Sequence, residues 1–111
     1  MLKVNKNVEV ALKTLELLKN ESTPLKSQAI AEKIGTTTSY VEQVVRKLRV
    51  AGITKAVRGP GGGHVANRGQ SVSALSVAKI FGYDTNSALE GVTGSLSQAL
   101  STAFENTRID L

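Results

Sequence analysis

The stretch Gly59-Pro60-Gly61-Gly62-Gly63 constrains this chain more than any other. Four glycines around one proline cannot continue a helix. Proline fixes its own φ, and glycine occupies backbone angles closed to other residues. The residues before it, Ile53-Thr54-Lys55-Ala56-Val57-Arg58, are β-permissive, and His64-Val65-Ala66-Asn67 after it is a short run of the same kind. Two such runs around a glycine-rich loop predict a β-hairpin, with Arg58 at the entrance to its turn.

The segments upstream read as helices. Val8, Ala11, Leu12, Leu15 and Leu18 recur at helical spacing and predict a helix from near Asn5 or Asn7 to about Lys19. Asn20-Glu21-Ser22-Thr23-Pro24 breaks it, and Leu25-Lys26 reads as extended. Ser27 is the expected N-cap of a second helix with Ala29, Ile30, Ala31 and Ile34 inside, and Gly35 stands where a left-handed C-cap residue is wanted. Thr36-Thr37-Thr38 supplies a turn and the next cap. A third helix is expected from about Ser39 to Ala51, burying Val41, Val44, Val45 and Leu48 and leaving Ser39, Glu42, Gln43, Arg46, Lys47 and Arg49 wet. Gly52 ends it.

Beyond the hairpin, Arg68-Gly69-Gln70-Ser71 reads as a loop, and Ser76 as the cap of a short helix from Val77 to Phe81 closed by Gly82. Leu89, Val92, Leu96, Leu100 and Phe104 again show helical spacing, weakened in its first half by Gly91 and Gly94. Helix, turn, basic helix, β-hairpin is the order of a winged helix-turn-helix. The expected class is mainly α with a small β-hairpin, a winged domain over 1–82 followed by a dimerisation helix region over 83–111.

Charge decides between partners. The chain has 111 residues and a formal net charge of +5. Residues 1–70 carry 12 Lys/Arg against 5 Asp/Glu, while residues 71–111 carry 2 against 4. A basic body with a mildly acidic tail suits a polyanion for the body and a protein for the tail. The absence of cysteine excludes disulfides, thiol catalysis and thiolate metal sites. No apolar run approaches the ~20 residues of a membrane span and no leader is visible, so a cytoplasmic location is expected.

In that architecture the third helix is the reading helix. B-DNA's major groove admits one helix and shows its base edges to hydrogen-bonding side chains. Ser39, Tyr40, Glu42 and Gln43 are the expected readers: Glu accepts from cytosine N4, Gln pairs with adenine, and hydroxyls reach bases or phosphates. Arg46, Lys47 and Arg49 suit phosphates, which position the protein rather than specify sequence. Arg58 at the wing's edge suits a narrow minor groove, and Gly61 and Gly62 at the tip allow close approach to a phosphate ridge. The bland alternatives are a hydrated helix face and an exposed turn arginine.

Three lookalikes are set aside. The glycine run lacks the Gly-Lys-Ser/Thr and the strand–loop–helix order of a phosphate-binding loop. His64 is the single histidine, with no second ligand beside it, so its ring is expected to pack at the wing base or touch a phosphate. No nucleophile–base pair suggests an enzyme. The stripe Leu89, Val92, Leu96, Leu100 and Phe104 could be core, but after a complete winged domain it is expected to meet a second subunit.

The runs Ser39-Tyr40-Val41-Glu42-Gln43-Val44-Val45-Arg46-Lys47-Leu48-Arg49, Ala51-Gly52-Ile53 and Val57-Arg58-Gly59-Pro60-Gly61-Gly62-Gly63 resemble the iron–sulfur cluster regulator family of bacterial winged-helix transcription factors, of the IscR, NsrR and CymR types. Leu25-Lys26 and Leu75-Ser76-Val77-Ala78-Lys79-Ile80 match as well. The resemblance is close over residues 5–82, and Thr107 to Leu111 resembles the end of the family's long dimerisation helix. It implies a homodimeric winged-helix repressor or activator; the expected function is a regulator that binds a pseudo-palindromic double-stranded DNA operator as a homodimer and most simply represses by occluding polymerase. Ser39, Glu42 and Gln43 then match base-contacting positions, Tyr40 a backbone-contacting one, and Arg58 the wing arginine of the minor groove. His64 stands where the family usually has tyrosine. Cluster-binding members place three cysteines before the dimerisation helix; Tyr83 to Leu96 holds none, so no cofactor is expected and redox sensing is not carried over. The reading from another class is a protein-interaction adaptor that heterodimerises with a related regulator without reading DNA.

Overall fold

The computed structural model describes residues 6–82 and 106–111. Three helices come first: α1 (Lys6–Lys19), α2 (Ser27–Ile34) and α3 (Thr38–Val50). A hairpin of β1 (Thr54–Val57) and β2 (Gly63–Ala66) follows, then β3 (Ser71–Ser73), α4 (Ala74–Ile80) and β4 (Arg108–Asp110). This is a mainly helical winged helix-turn-helix with a small antiparallel hairpin. The stripe Leu89, Val92, Leu96, Leu100 and Phe104 lies outside the described residues.

The helical periodicity places the core. α1 buries Val8, Val10, Ala11, Leu15 and Leu18, with Thr14 among them because its hydroxyl donates to the Val10 carbonyl at 2.7 Å. Leu12, expected on this face, is only half-buried. α3 faces two apolar clusters at once. Val44 and Leu48 pack with α1 and α4 residues, while Val41 and Val45 pack with Leu18, Ile30, Ala31 and Ala66. Burying such side chains is worth roughly 1.5–3 kcal/mol each. With both flanks committed, α3 can turn only its remaining face, the polar one, to water.

The caps settle the helix ends. Thr37 caps α3, its hydroxyl accepting from the Tyr40 N–H at 3.2 Å. Gly35 adopts φ 87° after α2, and its N–H donates to the Ala31 carbonyl. Ser27, expected to cap α2, is instead its first helical residue; Lys26 holds the cap position and no side chain caps that end. The Ser27 hydroxyl is instead engaged by His64, 3.0 Å away. The end of α1 is closed from a distance. Arg68 donates to the carbonyls of Lys19 at 2.7 Å, Glu21 at 2.7 Å and Leu18 at 3.2 Å.

The downstream part departs from the sequence reading. The short helix starts at Ala74, not Val77, and its cap is Ser73, whose hydroxyl accepts from the Ser76 N–H at 3.0 Å. The earlier start lets Ala74, Val77 and Ala78 all be buried. Ser71, placed in a loop by the sequence, opens β3. Residues 108–110 are a strand rather than a helix end, paired antiparallel with β3 as Ser71↔Asp110, Val72↔Ile109 and Ser73↔Arg108. Ile109 and Leu111 pack against the core, and the Leu111 backbone bonds to Gly69 and Gln70. Burial of those two side chains rewards the alternating Arg-Ile-Asp-Leu pattern of a strand with one covered face.

Candidate nucleic-acid interface

The wing is seated by backbone contact. β1 and β2 pair from Thr54↔Ala66 to Val57↔Gly63, and β2 also bridges Leu25 through His64. Both approaches require glycine. A Cβ on Gly62 would lie 2.1 Å from the Val57 carbonyl oxygen, inside the turn. One on Gly63 would lie 2.5 Å from the Leu25 carbonyl carbon and oxygen, and the residue has φ 152°. Gly63→Ala should therefore destabilise the chain by roughly 1–3 kcal/mol, the usual cost of forcing atoms into a packed contact. Urea unfolding measures it, and an unchanged midpoint would mean that the Leu25–Lys26 segment yields freely.

Two recesses meet at Glu42. Ser39, Glu42, Gln43, Arg46 and Lys47 line a shallow depression of about 410 Å³ along the exposed face of α3. Glu42 also lines a cleft between α3, the start of α2 and the wing, with Lys26, Gln28, Thr38, Gly59 and His64. The structure thus brings Ser39, Glu42, Gln43, Arg46 and Lys47 together and sets them beside the wing. Lys26, Gln28 and Thr38 escaped the sequence reading. No local signal marked them, since it is the packing of α2 and the wing against α3 that brings them to Glu42.

The remaining candidates are placed differently. Arg58 is exposed at the hairpin turn and lines neither recess. Gly61 is exposed at the tip, whereas Gly62 is buried and its N–H closes the turn on the Gly59 carbonyl at 2.9 Å. Tyr40 turns toward α1: its hydroxyl donates to Asn7 Oδ1, and Lys6 Nζ stands 5.5 Å from its ring centre. Lys47 Nζ stands 5.7 Å from the Phe81 ring centre, which steadies the cation at the edge of the depression. Arg49 and Lys55 are exposed.

The His64 ring is half-buried at the base of the wing. Burial, then the Arg49 charge, hold its pKa below the ordinary 6.5, with Glu42 pulling the other way. The donor set does not suit an iron–sulfur group. The chain has no cysteine, and its single histidine already engages Ser27. Among the described residues, no group of three or more His, Cys, Asp or Glu side chains could hold a metal ion. No described helix is long and apolar enough to cross a membrane.

A family model described as Rrf2, iron-dependent transcriptional regulator, matches residues 4–108. The HTH-type transcriptional regulator IscR of Escherichia coli O1:K1 / APEC is 36% identical over 63 residues, which are 57% of this chain and 38% of that protein. The match therefore spans well under half of that relative's length. The structure of CymR (YrzC), the global cysteine regulator of B. subtilis, superposes with a TM-score of 0.78 at 24% identity, covering 97% of this chain and 93% of that one. The oxidized form of Staphylococcus aureus CymR gives a TM-score of 0.75 at 25% identity, covering 96% and 92%. For T. potens IscR the TM-score is 0.75 at 22% identity, with 96% and 82% covered.

Proposed function

The chain belongs to the Rrf2 family, and from that premise we propose that it is a DNA-binding transcription regulator that occupies a pseudo-palindromic operator as a homodimer and represses by excluding polymerase. The observation that carries the reading is the meeting of α3's polar face and the glycine wing at Glu42. A helix in the major groove with an arm beside it needs that arrangement. Ser39, Glu42 and Gln43 take the base edges. Arg46, Lys47, Arg49 and Lys55 take phosphates. Tyr40 steadies α3 on α1 and brings Lys6 to the same flank. Glu42 is repelled by every phosphate, so its place on the reading face selects for a cytosine amino group and against other sequences. Selection of bound duplexes from a random pool tests the whole reading: an enriched two-fold motif is expected, and a pool that stays random removes it.

Arg58 is the wing's reader in this account. Arg58→Ala should weaken the selected duplex by about 1–3 kcal/mol and leave random duplex much less affected. Lys55→Ala, two strand residues away from the turn, should weaken both about equally. Titrations of the two variants on the two duplexes decide. Parallel losses would make Arg58 a phosphate contact and no more.

A further inference from the structure

His64 sits where the wing joins the helix-turn-helix, and three bonds converge on it. Its N–H donates to the Leu25 carbonyl at 2.7 Å, and its carbonyl accepts from the Leu25 N–H at 3.1 Å. Its ring Nε2 lies 3.0 Å from Ser27 Oγ, in the first turn of α2. Nδ1 is buried and has no hydrogen-bond partner among the described residues. Gly63 next to it lets β2 touch the Leu25 backbone.

We propose that the His64 ring is a positioning residue that ties β2 to the first turn of α2 while neutral, and that its protonation releases the wing, so that the wing's seating and its reading of DNA follow pH. The DNA half rests on the function proposed above; the tie itself does not. In the tie the neutral ring carries its N–H on Nε2, donates it to Ser27 Oγ and leaves only a lone pair at Nδ1. A protonated ring puts an N–H on Nδ1 that faces no acceptor, and sets a positive charge in a half-buried site. The charged groups around it are Arg49 and Glu42 from α3 and Lys26 from the start of α2; its cross-strand neighbour on β1, Ala56, is uncharged.

Burial and Arg49 lower the docked pKa, and a released ring regains the ordinary value near 6.5. A group whose pKa is lower when docked contributes in full above about pH 6.5 and weakens as pH falls through that value toward the docked pKa. Across that window the docked-to-released ratio should fall up to about tenfold per pH unit.

The full chain carries one histidine, so its imidazole proton resonances titrate alone. Amide exchange at Leu25 and His64, corrected for the intrinsic pH dependence, reads the bridge directly. The ring is expected to titrate below about 6.5, and bridge protection to fall with pH over the same range. His64→Gln keeps a side-chain amide for Ser27 without a titrating group and should hold the bridge at all pH values. Ser27→Thr should keep the native profile, while Ser27→Ala should loosen the bridge at neutral pH. A ring that titrates at or above its ordinary value, or a His64→Gln bridge with the native profile, overturns the proposal. The selected duplex then tests the link to DNA. The native chain should lose affinity on acidification faster than His64→Gln. Equal losses overturn that link while the bridge result stands. If neither chain binds any duplex at any pH, the DNA reading fails and the amide data still decide the tie.

Discussion

Raising salt from about 50 mM to about 200 mM should weaken operator binding by several hundred-fold per subunit, and by the square of that for a dimer engaging both half-sites. The reason is counterion release. Each phosphate neutralised by a cation contributes ~0.9 to the slope of log affinity against log salt. Arg46, Lys47, Arg49, Lys55 and Arg58 all lie exposed on α3 and the wing. Arg68 follows them in sequence but is excluded, because its guanidinium is held by the carbonyls at the end of α1. Arg108 is likewise drawn to Ser71. Five cations per subunit give a slope near −4.5 per subunit, on the order of −9 for a dimer. Fluorescence anisotropy of a labelled duplex across a salt series measures it. A flat response would remove DNA as the partner.

Leu100→Asp should abolish dimerisation and reduce operator affinity by about 10²–10⁴-fold. Leu89, Val92, Leu96, Leu100 and Phe104 make an apolar stripe at helical spacing, and soluble monomers rarely leave such a stripe uncovered. A second copy related by a two-fold axis would cover it with the same residues. The segment between Lys79 and Arg108 has no basic residue, so an added carboxylate there meets no cation from the partner's matching segment. Buried without one, it is strongly destabilising. A monomer retains one half-site and loses the avidity of the second. Sedimentation of both chains, alongside operator titration, tests this. An unmodified chain that sediments as a monomer at micromolar concentration would mean that the stripe folds back onto its own subunit.

Local patterns made much of this legible. The glycine–proline run could only be a turn, and it is one. Val41, Val44, Val45 and Leu48 were placed inside from spacing alone, which left Ser39, Glu42, Gln43, Arg46, Lys47 and Arg49 outside. Gly35 and Gly52 ended their helices as their lack of a side chain allows. In each case the information lies within a few residues of the position it governs, because backbone angles and helical periodicity are local properties.

What the sequence could not reveal depends on partners far away along the chain. Ser27 has the chemistry of an N-cap, and only the approach of His64, carried in by the wing, takes its hydroxyl elsewhere. Arg68 counts as one more cation until the end of α1 lies beside it. Tyr40 sits among the readers in sequence, yet its hydroxyl serves α1 through Asn7. Gly63 reads as a flexible residue, while its requirement comes from the Leu25 backbone against it. Residues 108–110 are too few for periodicity to mark a strand, and β3 decides the matter by pairing with them. The sequence by itself determined the three leading helices, the hairpin, their order and the sign of the basic face. Tertiary structure alone decided which polar groups stay free for a ligand, because a hydrogen bond to a distant neighbour consumes a donor that no local pattern records.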